Sequence, residues 1–441
     1  MSDLAVSPAG APVRPADPVG WCIGIPLTFA ALAAIRLTTP SAPFFDEVHY
    51  LPAAREILKI GGEAMPTYLN QEHPLLGKTL IALGMALFGD NPLGWRIMPL
   101  LAGTLALLAS MRALWHASGE RYATIAFGML LATGFHLFVH ARIAMLDIFM
   151  AAFLAAAAWQ FAAATREPET GRRRLALCGI ALGCAMGAKW NAASLAIVPG
   201  LTFFAARLAA GRRRLLLSDR GIPVPGITLL EAFAWLGIVP LIVYALTFWP
   251  GYHLGHPPVP SPLATQGLIT FHGDMLRWQG AVMAPHAYQS TWQQWALNTR
   301  GIWYLYEFID GAQRGVLLIG NPLTMLIGLP ALAWCALMGL VRGNWARIAV
   351  VVGYAVSLGF WIIAPKPVQF YYHYMMPSFF LLGALALALG DLHHSPARRW
   401  IAHSVLAGSA LMFALFYPVL SAAPLKGPMS FLTWAWLEGW R

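Results

Sequence analysis

The chain has few charged residues for its length, and this scarcity excludes most soluble folds. Charged residues make up 11% of the 441 residues, whereas hydrophobic residues make up 58% and the mean hydropathy is +0.61. Soluble domains carry about 25% charged residues, so this chain lacks the polar surface that a water-soluble protein needs. Apolar runs close to span length recur along the chain without the period-two alternation of a membrane barrel. The sequence therefore predicts an all-α polytopic membrane protein.

Cysteines and metal-ligand clusters are also scarce. The four cysteines all lie in apolar runs, and none has an obvious partner or metal-ligand spacing. We therefore predict no disulfide framework. No His, Cys or Asp cluster has convincing metal spacing either, which predicts no tightly bound metal and leaves a need for divalent ions open.

The net charge of +10 comes largely from arginines in short loops between apolar runs. Such a distribution is typical of membrane topology and does not indicate nucleic-acid binding. With the N-terminus inside, roughly eleven spans place the arginine clusters at 172–174, 212–214, 342–347 and 398–399 on the cytoplasmic side. The predicted spans are 21–35, 93–115, 122–140, 146–164, 175–188, 190–209, 229–249, 315–340, 346–364, 372–390 and 400–419.

These spans divide the chain into three parts. Residues 1–18 form a disordered cytoplasmic tail, 19–420 form the transmembrane domain, and 421–441 form an external tail. External loops cover about 38–91 and 250–314. Two amphipathic stretches of the first loop, 51–60 and 75–88, are expected to lie along the membrane surface as interfacial helices.

Asp46 and Glu47 place adjacent carboxylates just after the first span. Adjacent residues do not face each other on a helix, so one carboxylate can face a substrate while the other faces a neighbour. A carboxylate at a hydrocarbon boundary can have a raised pKa and act as a general base. The alternative is a solvated acidic loop.

Cations gather on the same predicted face. Lys78 follows His73-Pro74 in the first turns of a predicted helix. The free backbone amides of a helix start, together with a cation, favour phosphate binding. A lysine that extends its ammonium to the membrane interface accounts for the position of Lys78 equally well. Lys78, Arg96, Arg142 and Lys189, together with the acids, suit a lipid-linked phosphate donor. Structural ion pairing among these residues is the alternative.

Two aromatic segments complete the external face. One contains Trp292, Trp295 and Glu307, and the other contains Tyr372 and His373 at the start of a late span. Interfacial aromatic belts account for both segments without any function. The second segment has two possible roles, which are contact with a lipid carrier and anchoring of the helix alone.

Taken together, these segments resemble the protein O-mannosyltransferase family of C-type glycosyltransferases. The resemblance covers about residues 40 to 390. The segments that carry it occur in the same order as in the family and are predicted to lie on one side of the membrane. It rests on Phe45-Asp46-Glu47-Val48-His49, His73-Pro74-Leu75-Leu76-Gly77-Lys78, Arg142 to Asp147, Gly187-Ala188-Lys189-Trp190, Tyr288 to Glu307 and Tyr371-Tyr372-His373-Tyr374. The eukaryotic enzymes carry a β-trefoil domain that the 250–314 loop is too short to hold, which fits a small bacterial type.

The resemblance implies a C-type glycosyltransferase fold and the following roles. Asp46 accepts the proton of an acceptor Ser or Thr hydroxyl, Glu47 orients substrates, and the reaction inverts the anomeric carbon. A polyprenyl-phosphate-linked sugar is the donor, and secreted proteins are the acceptors, at the outer face of a bacterial inner membrane. The donor phosphate and lipid are assigned to His73, Lys78, Arg96, Arg142, Lys189, Tyr372 and His373, support to Asp147 and Trp190, and the acceptor side to Trp292, Trp295 and Glu307.

Two other functions stay open at this stage. A sister enzyme that moves a sugar such as aminoarabinose onto lipid A or another glycolipid would share the Asp46–Glu47 pair and the Lys78 segment. A lipid or solute transporter is less favoured, because the charges crowd one interface and no internal repeat is visible. The sugar, the acceptor sequence, the carrier length and the oligomeric state are not specified by the sequence.

Overall fold

The computed structural model describes residues 16–59, 68–210, 215–255, 259–281 and 284–441. The arginine cluster at 212–214 and most of the predicted cytoplasmic tail lie outside these ranges. Within them the chain is mostly helical. The helices of the first half are α1 (Val19–Ala34), α2 (Glu47–Ile57), α3 (Leu76–Phe88), α4 (Pro92–Ser118), α5 (Arg121–Ala132), α6 (Phe135–His140), α7 (Leu146–Arg166), α8 (Gly171–Ala188), α9 (Ala193–Ala196) and α10 (Val198–Ala209).

The second half contains further helices and a hairpin. Strands β1 (Ile302–Ile309) and β2 (Ala312–Leu318) pair antiparallel around Asp310-Gly311. The helices are α11 (Leu229–Phe233), α12 (Val239–Leu246), α13 (Pro262–Gln266), α14 (Leu268–Gln279), α15 (Trp292–Ala296), α16 (Pro322–Arg342), α17 (Trp345–Ile363), α18 (Met375–His394) and α19 (Arg399–Leu420), and a π-helical segment, Ala234–Ile238, joins α11 to α12.

Eight helical stretches in the described ranges are long and apolar enough to cross a membrane, and α1, α3 and α5 are shorter apolar helices. The α18 stretch is the most enclosed, with 78% of its apolar window buried. Helices α4, α7 and α8 pack side by side, and α16, α17 and α5 surround α18. The main buried cluster includes residues of both groups and of the hairpin.

Three sequence predictions need correction. The predicted 122–140 span is broken at Thr133-Gly134 into α5 and α6. The predicted 315–340 span begins only at Pro322, where the Asn321 side chain accepts a hydrogen bond from Leu323 N and caps the helix. Residues before it belong to β2, a strand that the all-α prediction lacked, although the described chain is mostly helical.

The other segments that were predicted to be external also have regular structure where the structure describes them. The amphipathic stretches of the first loop form α2 and α3, as predicted, and Lys189 separates α8 from the next helical stretch. The predicted C-terminal tail packs on the hairpin, because Trp303 Nε1 donates to the carbonyl of Trp440 at 2.8 Å and Tyr306 OH donates to that of Pro428 at 2.8 Å.

A stripe of glycines lets α8 approach α12 closely. Gly179, Gly183 and Gly187 recur every four residues on one face of α8. A Cβ atom on Gly183 would lie 2.6 Å from the carbonyl oxygen of Pro240, and one on Gly187 would lie 2.6 Å from the Thr247 hydroxyl. Small residues at such spacing are common where membrane helices pack backbone to backbone.

Gly183→Ala is expected to destabilise the protein by about 1–3 kcal/mol, because the added methyl forces α8 and α12 apart. A thermal unfolding curve in detergent should shift to lower temperature. Gly24→Ala in α1 is the matched control, since a Cβ there has no heavy atom within 4 Å. Equal unfolding temperatures for the two variants would contradict the close packing.

Candidate active site

Asp46 lies at the point where the loop after α1 enters α2, and its carboxylate has no partner among the described residues. It occupies the N-cap position of α2 but makes no side-chain capping hydrogen bond. Its backbone carbonyl accepts from His49 N and Tyr50 N, but its carboxylate forms no hydrogen bond or ion pair with the residues that the structure describes. The preceding residue, Phe45, has φ of 51°, a left-handed conformation that is rare for bulky residues and found at functional sites. The ring of Phe45 stacks on Tyr304 of β1 with centroids 3.9 Å apart.

The surroundings of Asp46 make its carboxylate more basic than usual. Burial raises the pKa of Asp46 from its ordinary value of 3.8 to about 6. The positive charge of Lys189 opposes this shift in pKa, and the negative charge of Asp147 adds to it. At neutral pH most of the population carries the ionised carboxylate, and the group holds a proton better than a solvated aspartate.

Lys189 and Asp147 form a buried ion pair next to Asp46. Lys189 Nζ lies 2.9 Å from Asp147 Oδ1 and 2.7 Å from Oδ2. Asp147 is the second residue of α7 and Lys189 follows the last residue of α8, so the antiparallel packing of these helices joins their ends. The Lys189 ammonium also lies 5.1 Å from the ring centroid of Tyr372, which places the pair between the carboxylates and the late aromatic segment.

Glu47 faces away from this site and binds Arg96. Arg96 Nε donates to Glu47 Oε1 and Arg96 Nη2 donates to Glu47 Oε2, both at 2.8 Å, and both side chains are fully buried. Glu47 also accepts from the backbone N of Ala144 at 3.0 Å, while Arg96 Nη1 donates to the Pro40 carbonyl at 2.7 Å. The Arg96 guanidinium is therefore enclosed by protein acceptors, and its assignment to the donor phosphate stays a prediction.

The guanidinium of Arg142 is likewise occupied by hydrogen bonds, in this case to backbone carbonyls. Its Nη1 donates to the carbonyls of Ala33 and, at 2.7 Å, Ile35, and its Nη2 donates to that of Arg36 at 3.0 Å. These carbonyls belong to the C-terminal end of α1, where helix acceptors lack internal partners. Arg142 thus caps the end of α1, and its assignment to the donor phosphate also stays a prediction.

Lys78 supports the loop that carries His73. The Lys78 ammonium is buried and donates to the carbonyls of Asn70 at 2.6 Å and His73 at 2.9 Å. The His73 Nδ1 atom is buried without a hydrogen-bond partner in the described part of the chain. Burial, reinforced by Lys189 and Lys366, holds the pKa of His73 well below its usual range, so the ring is neutral.

Tyr372 and His373 line the same space from the start of the α18 stretch. The Tyr372 ring lies 6.1 Å from that of Phe45, and His373 stacks on Trp361 at 3.7 Å. Phe370 N donates to His373 Nδ1 at 3.1 Å, so the neutral ring carries its proton on Nε2. That Nε2 atom is buried with no partner among the described residues, which makes it a donor available to a ligand.

The predicted acceptor-side and supporting residues do not all reach this site. Trp295 is fully buried and its Nε1 donates to Ser290 Oγ at 2.8 Å, so it packs inside the external segment. Trp292 is partly buried nearby, and Glu307 is exposed on β1. Trp190 is also partly buried, directly after Lys189. No contact in the described chain joins Trp190 or Glu307 to Asp46.

Sequence reasoning missed two residues of the site. Tyr304 stacks on Phe45 within the hairpin that was not predicted. Lys366 lies between Pro365 and Pro367 in the α17–α18 loop, and its charge acts on Asp46. A signal for Lys366 existed, because a lysine in a predicted outer loop runs against the excess of positive residues on the cytoplasmic side.

The described residues contain no group of three or more His, Cys, Asp and Glu side chains that could hold a metal ion. The site is instead built from one unpartnered carboxylate, an ion pair, aromatic rings and donors such as His373 Nε2. These groups come from the first loop, the α7 and α8 ends and the α17–α18 loop, which all meet at one end of the helices. The arrangement suits removal of a proton next to an anionic ligand.

Comparison with known proteins agrees with this geometry. A family profile described as dolichyl-phosphate-mannose-protein mannosyltransferase matches residues 90–255. Polyprenol-phosphate-mannose–protein mannosyltransferases of Mycolicibacterium smegmatis and Mycobacterium tuberculosis are 28% and 29% identical to the chain. Each alignment covers 96% of this chain, with 93% of the first relative and 92% of the second.

Solved structures show the same fold. The Saccharomyces cerevisiae protein O-mannosyltransferase Pmt1–Pmt2 complex, bound to the sugar donor, matches with a TM-score of 0.78 at 15% identity, over 96% of this chain and 92% of that one. ArnT from Cupriavidus metallidurans matches with a TM-score of 0.60 at 18% identity, over 95% and 68%. The chain thus shares the fold of these solved proteins, and its similarity to mannosyltransferases over nearly its full length indicates a glycosyltransferase.

Proposed function

We propose that the protein transfers a mannosyl residue from a polyprenyl-phosphate donor to Ser or Thr hydroxyls of proteins, with Asp46 as the general base. The observation that carries the proposal is the unpartnered, partly buried carboxylate of Asp46 beside the Lys189–Asp147 pair. Near full-length similarity to polyprenol-phosphate-mannose–protein mannosyltransferases supports the donor and the protein acceptor.

The chemistry is a single displacement with inversion. The acceptor oxygen attacks the anomeric carbon while its proton moves to the Asp46 carboxylate. The bond between the anomeric carbon and the phosphate oxygen breaks, and its electron pair leaves with the polyprenyl phosphate. Because phosphate is already a good leaving group, one base and stabilisation of the leaving charge are enough.

The other polar residues divide into binding and positioning groups. Lys189 and the Nε2 donor of His373 face the space next to Asp46 and are proposed to contact the donor, with Tyr372 packing against it. Lys78 acts through the His73 loop, and Asp147 holds Lys189 in place. Glu47 is a positioning residue, because its pairing with Arg96 fixes the start of α2 directly after Asp46.

We further propose eleven membrane crossings, with the active site on the non-cytoplasmic side of a bacterial inner membrane. The eight long apolar stretches account for eight crossings, and α1, α5 with α6, and α8 account for the other three. Helix α8 is less apolar than the eight because three arginines lie in its first turn. Residues 19–420 then form the membrane domain, with helices α2 and α3 at its outer interface. The site and the external segments lie at the same end of these helices.

The test of this function is transfer of radiolabelled mannose from polyprenyl-phosphate-mannose to a Ser/Thr-rich peptide by the purified protein in detergent. We expect the label on the peptide in a form that alkali releases by β-elimination. Parallel reactions should offer lipid A as acceptor and should include a chelator. Label on lipid A with none on the peptide would replace this proposal with the glycolipid-modifying reaction.

The pH dependence of transfer should report Asp46. A carboxyl whose pKa is raised to about 6 must lose its proton before it can act as a base. We therefore expect kcat/KM to rise tenfold per pH unit below about pH 6 and to level off above it. A profile measured from pH 4.5 to 7 that stays flat, with the protein folded throughout, would contradict this role.

A further inference from the structure

Lys366 is a partly buried lysine that the described chain leaves without an anionic partner. Its Nζ donates to the side-chain oxygen of Gln279 at 3.3 Å, and it forms no ion pair with the residues that the structure describes. Prolines on both sides restrict the backbone of the loop, so Lys366 is presented by a stiff segment. A partly dehydrated ammonium with only a neutral acceptor is a favourable site for an anion.

The neighbouring cations are already neutralised or enclosed. Lys189 is paired with Asp147, Arg96 is paired with Glu47, and Arg142 is bound to carbonyls at the end of α1. Lys366 differs from them because its strongest contact is a long hydrogen bond to an amide. An arriving phosphate can replace that contact without leaving a buried carboxylate unpaired.

The charge of Lys366 acts on the candidate active site around Asp46. Its charge acts on Asp46 and on His73, while Lys189, Asp147, Asp46 and Glu72 act on it in turn. Gln279 accepts from Lys366 and donates to the Glu72 carbonyl, so Lys366 lies beside the loop that carries His73. Lys366 and Lys189 repel each other, and an anion bound near both relieves that repulsion.

We propose that Lys366 binds the phosphate of the polyprenyl-phosphate donor and stabilises that phosphate as it leaves. This inference rests on the proposed function for the sugar transfer, but phosphate binding is measurable without it. As the bond from the anomeric carbon to oxygen breaks, the electron pair stays on the phosphate oxygen, and Lys366 donates a hydrogen bond without giving up its proton. The proton of the acceptor hydroxyl goes to Asp46.

Gln279 is the positioning residue for Lys366. Its side-chain oxygen accepts from Lys366, and its Nε2 donates to the carbonyl of Glu72 at 3.1 Å. Gln279 therefore connects α14 to both loops that border the site. The Lys366 loop is also tied to the external segment, where the backbone N of Ser290 donates to the Gln369 carbonyl at 2.9 Å.

The test measures binding and turnover in Lys366→Gln and Lys366→Arg, with Lys426→Gln as the matched control. Lys426 is exposed on the external C-terminal segment and has no side-chain partner in the described chain. Binding is followed by the thermal shift that polyprenyl phosphate produces, with no sugar present. We expect Lys366→Gln to weaken binding and lower kcat/KM for the donor at least tenfold, while KM for the peptide and the unliganded unfolding temperature stay unchanged.

A pH profile and two more variants distinguish phosphate binding by Lys366 from a purely structural role. Burial and the charge of Lys189 lower the pKa of Lys366 to about 8, so wild-type transfer should decline above about pH 8 as the ammonium loses its proton. Lys366→Arg should restore much of the binding and move this decline to higher pH. Gln279→Glu should weaken phosphate binding, because the new carboxylate competes for Lys366.

The outcomes distinguish the inference from the function on which it rests. Lipid-phosphate binding that is equal in wild type, Lys366→Gln and Lys426→Gln would overturn the role of Lys366. Binding that depends on Lys366 in a wild-type protein that labels no peptide would support the phosphate site and overturn the protein acceptor. If Lys366→Gln fails to fold, Lys366→Arg and Gln279→Glu decide the question by the same readouts.

Discussion

Asp46→Asn is expected to lower the rate of mannosyl transfer by about 10²–10⁴-fold, the range that a positioned general base contributes. The amide keeps the shape of the carboxylate but cannot accept the proton of the acceptor hydroxyl. Asp46 makes no cap or ion pair with the described residues, so the substitution removes no interaction from the fold. The loss should appear in kcat, measured with saturating donor and peptide.

The control for this variant is Glu438→Gln, which removes an exposed carboxylate from the C-terminal segment. It should transfer mannose at the wild-type rate. Asp46→Asn should still bind polyprenyl phosphate and should unfold at the wild-type temperature or above it, because a buried unpaired charge is removed. A kcat within threefold of wild type would rule out Asp46 as the base.

The contacts within the candidate site could not be predicted from the sequence. The segments predicted to share one membrane face include Asp46, Lys189, Tyr372 and His373. In the structure the Lys189 ammonium lies 5.1 Å from the Tyr372 ring centroid, and its charge acts on Asp46. Spacing along the chain did not show that Lys189 pairs with Asp147, 42 positions away. Such a pair depends on how helix ends meet, which local patterns do not encode.

The two arginines show why charge near the membrane is an ambiguous signal. Ionisable residues at membrane depth are functional candidates by default, and Arg96 and Arg142 fitted that rule. Both instead satisfy buried acceptors, one on Glu47 and the other on the end of α1. Structural pairing was the alternative interpretation of these arginines. The sequence alone does not show which backbone carbonyls lie near an arginine, so it could not decide between pairing and phosphate binding.

The hairpin was missed for a related reason. Residues 315–318 continue smoothly into the apolar helix α16, and a short apolar run does not distinguish a strand from the start of a span. The Asn321-Pro322 dipeptide marks the boundary, because asparagine caps a helix and proline suits its first position. Tyr304, which stacks on Phe45, depends on this hairpin and was missed with it.

Glu47→Gln is expected to destabilise the protein by about 3–5 kcal/mol, as for other buried pairs that lose one partner. The substitution leaves the guanidinium of Arg96 enclosed without its counter-charge, although the side chain keeps its shape. Both groups are fully buried and joined by two hydrogen bonds of 2.8 Å, so solvent cannot compensate. Unfolding in detergent, followed by temperature and by the fraction of monodisperse protein, measures this loss.

A double variant separates the pair from other effects of the substitution. Arg96→Gln alone should destabilise to a similar degree, and Glu47→Gln with Arg96→Gln should destabilise by less than the sum, since neither charge is then left buried alone. Arg55→Gln provides the matched control, because the Arg55–Asp90 pair is partly exposed and such pairs contribute about 0–1 kcal/mol. If Glu47→Gln retained wild-type stability but lost transfer, Glu47 would act on substrate and not as the anchor that positions Asp46.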